Sequence, residues 1–537
     1  SGAFRFCCHC SGLTKIPAPA FPAGASWRKI MKLKTFATPS LAAVVADVLA
    51  VGCFEGEAVN EGKGYAASAN LLTESGIARQ AAVDGFKGAI GETMVHFTDG
   101  KTAAPRIIMF GLGPRDKASI ETFRKALIAV FKKARAMKAQ HVAFAAIDPA
   151  SIKADAYAVG EAIASYAGMI DYEINHSKTE KGGYKPETHF KKLHLVVDAG
   201  SVKEMGRGLK DGFAIARSVN LARDLSNEPG SDCTPRRMAK LAEKIGKESG
   251  GTIEVKVLGR KALTKLGAGA LLAVAKGSDQ EPFLIDMLYT PKGGKPEAEL
   301  TIVGKSVTFD SGGLDLKPAD GMRRMYRDMS GGAVTMSAIK VIAELGLNIQ
   351  VRAVMAATEN MTGGSAYKPG DVLHTLNGMT VEVDNTDAEG RLTLADAIEY
   401  AKRQGATRIV DLATLTGAVR MMVGDIASCA FGNNDEFTRA VVDAGDSQGE
   451  RMLNVPMWDE YNTFNNTEMA DLKNSGGAPG STTAAWFLRR FAGDTPWVHL
   501  DIASVAFRDR EFGPDPKGAT GYGVRTLVEL ARRLASK

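Results

Sequence analysis

The chain has 537 residues, 45% hydrophobic and 24% charged, with 58 Gly and 20 Pro. These fractions are ordinary for a globular protein of two or three domains; they exclude collagen-like, coiled-coil and wholly disordered readings, and no run approaches the ~18 apolar residues of a membrane helix. The formal charge of +6 hints at nucleic acid or membrane only until it is located: residues 1–46 hold Arg5, Lys15, Arg28, Lys29, Lys32 and Lys34 without one acid, and the rest is balanced at 61 basic and 61 acidic side chains.

Residues 1–34 therefore form a basic, acid-free leader, expected to be disordered, with the composition of an organelle transit peptide. A cloning remnant, with Met31 as the natural start, fits the same residues. The leader holds Cys7, Cys8 and Cys10 around His9, without the spacers that let a chain wrap tetrahedral zinc. Cys53, Cys233 and Cys429 are isolated, as in a reducing compartment with no disulfide framework. The expected location is cytoplasmic, or mitochondrial if the leader is a transit peptide.

Residues 35–200 read as an N-terminal α/β domain. Arg106–Phe110 is strand-like, Lys117–Lys138 helical, His141–Ile147 strand-like and Ala154–Ala167 helical, the rhythm of a parallel or mixed sheet. A polar Gly- and Lys-rich stretch, 176–192, interrupts it. Residues 201–226 read as a connecting helix, stopped by Asn227-Glu228-Pro229-Gly230. Residues 227–537 form a larger unit with strand-like runs at Leu300–Val303, Ile349–Ala357, Thr380–Asp384, Arg408–Ala413 and Val498–Ile502. Between them lie helical stretches, Ala333–Leu345 and Leu392–Gln404, stopped by Gly346 and Gly405. The expected fold class is α/β in two domains, a smaller N-terminal one and a larger C-terminal catalytic one with a central mixed sheet.

Charged residues collect beside glycines in the larger unit. In Val303-Gly-Lys-Ser-Val-Thr-Phe-Asp-Ser-Gly-Gly313, Lys305 stands at one end of an apolar strand and Asp310 at the other. Arg327-Asp328-Met-Ser-Gly-Gly332 places Asp328 just before a helix. Val383-Asp-Asn-Thr-Asp-Ala-Glu-Gly-Arg-Leu392 packs Asp384, Asp387, Glu389 and Arg391 between a strand and a helix. Acid-rich loops at strand ends suit hard cations, whose water shell carboxylate oxygens replace. Asp310, Asp328, Asp387 and Glu389 carry four negative charges, enough to balance two divalent metals, and such a pair ~3.5–4 Å apart polarises a carbonyl and activates water. Taken singly, each acid is more often a helix cap or a surface ion pair than a metal ligand.

Lys-x4-Asp-Ser-Gly-Gly, Arg-Asp-Met-x-Gly-Gly-Ala and Asn385-Thr-Asp-Ala-Glu-Gly-Arg-Leu392 together resemble the M17 leucyl aminopeptidase family, and the last block is that family's signature. Asp411–Gly417, Ala470–Gly477 and Ala519–Arg525 agree; the likeness is dense from about residue 205 to the end, loose over 35–200 and absent in the leader. The resemblance implies a metallo-aminopeptidase acting on short peptides, favouring Leu and other bulky apolar first residues. It implies two metals, zinc with one position exchangeable for manganese. Lys305, Asp310, Asp328 and Glu389 would hold the tighter metal, and Asp310, Asp387 and Glu389 the looser one. The Lys305 amine can ligate only when neutral, which nearby dications favour. Lys317 would stabilise the oxyanion, and Arg391 would hold a bicarbonate acting as general base. Met325, Thr414, Gly417 and Ala503 would line the side-chain pocket, with the Leu415 and Gly417 backbone holding the peptide. Ala506 replaces a frequent Met and enlarges that pocket. Asn227–Pro235 follows its family pattern only in part. The resemblance further implies a homohexamer.

Gly445-Asp-Ser-Gln-Gly449 matches a nucleophile elbow but follows a helical stretch where that motif needs a strand. None of the eight histidines opens His-Glu-x-x-His, and His374 and His499 read as structural. Two other function classes remain for comparison. A phosphoesterase could use the same two-metal core, whereas a DNA-binding role is disfavoured by the neutral body. No membrane partner is expected.

Overall fold

The computed structural model describes residues 31–38, 40–57, 76–174, 177–185, 187–293, 296 and 298–536. The expected leader up to residue 30, with its Cys7–Cys10 cluster, lies outside the described residues. Two α/β domains, the smaller one N-terminal, are each built on one large sheet. The first contains β1 (Lys32–Ala37), β2 (Val48–Cys53), β3 (Thr93–Phe97), β4 (Arg106–Gly111), β5 (His141–Ala145) and β6 (Lys192–Val197), in the order β1-β6-β5-β2-β4-β3. All neighbours are parallel except edge strand β3.

The leader boundary at residue 34 cuts β1 and is corrected here. Lys32 and Lys34 lie on the exposed side of an edge strand, alternating with part-buried Leu33 and Thr35. An alternation of Lys with apolar residues satisfies an exposed edge as well as it satisfies a basic leader. Helices α1 (Ile77–Asp84), α2 (Ile120–Ala136) and α3 (Ala156–Ile170) complete the domain. Ser119 starts α2 through a reciprocal bond with Thr122, and Asp155 caps α3. Phe131 of α2 packs with Phe110 and Phe144 of the sheet, all fully buried, with the Phe110 and Phe144 centroids 5.2 Å apart.

Helix α4 (Val202–Asn227) runs longer than the 201–226 reading by one residue at its end. Its fully buried Arg223 donates to the Met169 carbonyl at 2.8 Å and the Thr520 carbonyl at 2.9 Å, joining both domains. Arg532 in the C-terminal helix reaches Glu161 of α3 at 2.6 Å. No helix of the described residues is long and apolar enough to cross a membrane.

The larger sheet contains β7 (Ile253–Gly259), β8 (Phe283–Tyr289), β9 (Glu299–Asp310), β10 (Gln350–Asn360), β13 (Ile409–Ala413), β14 (Ser428–Gly432), β15 (Met452–Asn454) and β17 (Trp497–Asp501), ordered β15-β14-β17-β13-β9-β10-β8-β7. Its four central strands, β17, β13, β9 and β10, are parallel, and antiparallel pairings flank them, so the sheet is mixed. Three short strands, β11 (Val372–His374), β12 (Thr380–Glu382) and β16 (Leu472–Lys473), form a separate sheet. The run Thr380–Asp384 thus belongs outside the main sheet. It is too short and polar to sit among strands covered on both faces.

Lys305 is not at a strand end, as the sequence suggested, but midway along β9, which continues unbroken to Asp310. Residues five apart on a regular strand face opposite sides. The pairing of β9 with β10 skips Thr308, so Val307 faces Thr358 and Phe309 faces Glu359. That one-residue bulge shifts the alternation and turns Lys305 and Asp310 toward the same side. Helix α5 (Pro235–Glu248) packs near β7, and α6 (Ser330–Leu345) and α7 (Glu389–Arg403) pack on β9. A Cβ on Gly332 of α6 would lie 1.9 Å from Ser306 Oγ, so this glycine lets α6 press on the strand.

Candidate functional site

The carboxyl ends of the central parallel strands converge, where α/β sheets place their ligands. Asp310 ends β9, Asn360 ends β10, Asp501 ends β17 and Thr414 follows β13. The Asp387–Arg391 loop descends onto them from β12. Asp310, Asp387 and Glu389 offer oxygens that all lie within 4.8 Å of one another. Lys305 Nζ lies 2.6 Å from Asp328 Oδ2 and 2.8 Å from Glu389 Oε1, and donates to the Thr414 carbonyl at 3.2 Å. Lys317 Nζ lies 2.7 Å from Asp310 Oδ2 and also pairs with Asp387. Six of the seven residues expected to ligate or catalyse are thus brought together; the seventh, Arg391, lies two residues beyond Glu389 in the first turn of α7.

Four carboxylates face two ammonium groups, so two negative charges are left unbalanced in a buried nook. Asp328 Oδ2, Asp387 Oδ1 and Glu389 Oε1 have short ionic contacts but no hydrogen bond of good geometry. Burial and the charge of Glu389 push the Asp310 carboxyl up to about 6, against Lys317 and Lys305. Burial also raises Asp328 and Asp387. Glu389 is lowered: burial opposes its charge, but Lys305 and Lys317 outweigh it. For Lys305 burial again opposes charge, and Asp328, Glu389 and Asp310 outweigh it to raise the ammonium. Unbalanced, clustered carboxylate oxygens without hydrogen bonds are the donor set a pair of divalent cations satisfies, so the residues present fit such metals.

The local sequence explains these placements. Helix α7 begins at Glu389 and carries it in its first turn. A Cβ on Gly390 would fall 2.5 Å from Lys305 Cε, so only glycine lets the helix start reach the lysine. Thr386 Oγ1 donates to the Gly312 carbonyl at 2.6 Å, and the Thr386 N–H donates to Asp315 at 2.7 Å, locking the acidic loop to the Gly pair after Asp310.

Sequence reasoning missed two buried asparagines. Asn360 Nδ2 donates to Asp310 Oδ1 at 2.8 Å and to the Thr386 carbonyl at 3.0 Å. Asn474 Oδ1 accepts from the Asp384 N–H at 2.8 Å, and its carbonyl accepts from Arg391 Nη1 at 2.6 Å. Asn474 was legible as part of a matching block, though without a role; Asn360 had no signal beyond closing an apolar strand. Replacing Asn360 with leucine is expected to weaken metal binding ~10–100-fold, as loss of a group that orients a ligand does. Titration against a chelator measures it, and unchanged affinity would remove Asn360 from this role.

Thr414 lines the cavity as expected and also donates from Oγ1 to Asp328 Oδ1 at 2.7 Å. The Leu415 N–H is spent on Asp501 Oδ1 at 3.2 Å, which leaves only the carbonyl of Leu415 for a peptide. Asp501 also accepts from the Ala503 N–H and from Thr416 Oγ1, so it shapes the whole loop after β13. Arg391 is 8% exposed, and burial lowers its guanidinium to about 10 despite Glu389, Asp501 and Asp387. Its Nε has no partner. His499 is structural: it meets Asp411 Oδ1 at 2.6 Å in the core. Ser447 ends a helix, Asp435–Ser447, and heads no elbow.

A cavity of about 400 Å³ opens over this cluster. Lys305, Asp310, Lys317, Asp328 and Asp387 line one part, and Met325, Thr414, Leu415, Gly417, Ala503 and Ala506 line more of it. Glu389 and Arg391 are not on its wall. Arg327, Arg420 and Phe507 are on the wall and were not foreseen.

Residues 220–528 match the model of the cytosol aminopeptidase family catalytic domain, and residues 50–181 match that family's N-terminal domain. A protein of Alkaliphilus metalliredigens named "Probable cytosol aminopeptidase" is 40% identical over 84% of this chain and 89% of its own length. One of the same name from Solibacter usitatus is 41% identical over 82% and 90%. Among solved structures, a mutant of tomato leucine aminopeptidase superposes with a TM-score of 0.81 at 30% identity, covering 94% of this chain and 97% of that one. The bottromycin maturation enzyme BotP in complex with Mn gives 0.79 at 30% identity, covering 91% and 100%.

Proposed function

The chain belongs to the cytosol aminopeptidase family, M17, and from that premise we propose that it removes the first residue of short peptides with two divalent metals. The observation that carries this reading is the cluster of Asp310, Asp387 and Glu389 oxygens within 4.8 Å, with Asp328 and Lys305 beside it, of which Lys305, Asp310, Asp328 and Asp387 line a cavity of about 400 Å³. Lys305, Asp310, Asp328 and Glu389 would hold one metal, and Asp310, Asp387 and Glu389 the other, as zinc or, in the looser position, manganese. Bound there, the metals supply Lewis acidity to the scissile carbonyl and make water a nucleophile near neutral pH.

The remaining work falls to the protein's own groups. Lys317, on the cavity wall, donates to the oxyanion that develops as the carbonyl is attacked. Arg391, buried and with Nε unpartnered, would hold a bicarbonate that takes the proton from water. Asn474 fixes Arg391 from behind. Met325, Ala503, Ala506 and Phe507 give the cavity an apolar wall that accommodates Leu and other bulky side chains. Exposed Met421, Trp458 and Met469 support self-association, with a homohexamer as the proposed assembly. The proposed location is cytoplasmic.

Hydrolysis of leucine p-nitroanilide and p-nitrophenyl phosphate, each with added Mn²⁺ or Zn²⁺, tests the reading. Anilide cleavage abolished by chelation is expected. Phosphatase activity alone would overturn it.

A further inference from the structure

The cavity wall carries both signs: beside the metal-side carboxylates it includes Arg327 and Arg420. Among the described residues, neither guanidinium has an ion pair or a side-chain hydrogen bond, and Arg327 Nη1 is buried with no partner at all. Asp509, whose charge reaches Arg327, is already paired with Arg324. Arg327 is held in place by Phe507, its Cζ standing 4.6 Å from the ring centroid. Arg420 lines the same cavity, so two guanidinium groups share it without an ion pair to either.

Two cations that share a cavity without a counter-ion raise the free energy of the empty cavity, and an anion between them relieves it. Bulky apolar substrates cannot do so. We infer that Arg327 and Arg420 read a carboxylate on the substrate, so that this peptidase, beside accepting bulky apolar first residues, favours a peptide carrying that carboxylate over its neutral counterpart. This inference rests on the aminopeptidase reading above. The carboxylate has two sources, the side chain of a first-residue Glu or Asp, or the free terminus of a dipeptide. In the first case the aliphatic stem of Glu lies along Ala503 and Ala506, both on the same wall. Arginine suits either, because its planar fork takes a carboxylate by two parallel bonds.

Two substrate pairs separate the sources. Glutamyl against glutaminyl coumarylamide differ only in side-chain charge, and Leu-Gly against Leu-Gly-amide differ only in terminal charge. At least one acidic member is expected to show a ten-fold or greater advantage in kcat/KM over its neutral partner. That advantage is expected to collapse in Arg327→Met and in Arg420→Glu, to recover in part in Arg420→Lys, and to shrink as salt rises. Arg420 is exposed, so its variants report without disturbing the fold. Metal content, measured alongside, shows that each variant is loaded. If leucyl coumarylamide is cleaved but neither pair discriminates, or if the discrimination survives both substitutions, the inference is wrong while the aminopeptidase reading stands. Failure to cleave any of these amides with metal bound would sink that reading instead.

Discussion

Replacing Glu389 with alanine is expected to remove metal binding and peptide hydrolysis together. Glu389 is 1% exposed and shares the 4.8 Å oxygen cluster with Asp310 and Asp387, while its Oε1 lies 2.8 Å from Lys305. With Asp310, it is one of the two acids that belong to both proposed metal positions, so its loss weakens both at once. The substitution also strips one of two carboxylates from a buried ammonium, which costs ~3–5 kcal/mol when nothing compensates. A fall in kcat/KM of at least about 10³ is therefore expected, with metal per subunit falling from two toward zero by elemental analysis. Because stability falls as well, Glu389→Gln serves as the milder variant, keeping the shape while removing the charge. Full activity in a metal-depleted Glu389→Ala protein would refute the site.

Lys317→Ala is expected to separate catalysis from metal binding. Its Nζ bridges Asp310 and Asp387 and also faces the cavity. If it acts as the oxyanion donor, its loss lowers kcat by ~10²–10³ with little change in KM, the size of effect seen when one such donor is removed. Metal content stays at two per subunit, since removing a cation only strengthens the field of the carboxylates. Loss of metal in Lys317→Ala would instead make this lysine a structural counter-ion. The contrast with Glu389→Ala is the useful one: one variant empties the site, the other leaves it loaded and slow.

Much of the fold was legible for local reasons. The helices of residues 120–136 and 156–170 carry capping side chains at Ser119 and Asp155; the first has a one-sided apolar pattern, and the second is a mostly apolar run buried continuously from Val159 to Ile170. Gly346 and Gly405 do stop helices, both with φ in the left-handed region. Of the eight strands in the main sheet, β7, β8, β14 and β15 were not recognised. Edge strands β7 and β15 are half-exposed or short and carry weak patterns, whereas β8 and β14 are buried like the central four and were missed without that reason. The run at Thr380 is a strand, as read, but strand propensity says nothing about which sheet a strand joins, and it joins the small one.

The sequence by itself determined the chemistry at the centre of the site. Lys305, Asp310, Asp328, Asp387 and Glu389 sit in three short blocks whose residue types and order carry the family likeness, and the structure gathers all five. It could not determine how they meet. Lys305 and Asp310 share a side only because β9 bulges at Thr308, and a bulge is a property of pairing with β10 rather than of β9 alone. Asn360 reaches Asp310 across 50 residues, Asn474 reaches Arg391 across 83, and Thr414 reaches Asp328 across 86. Arg327 and Arg420, 93 positions apart by their numbers, share one wall only in the folded chain. Ligand identity is written in local blocks because each block makes its own turn; the charge and shape of the cavity are not, because they arise where distant loops close over the same strand ends.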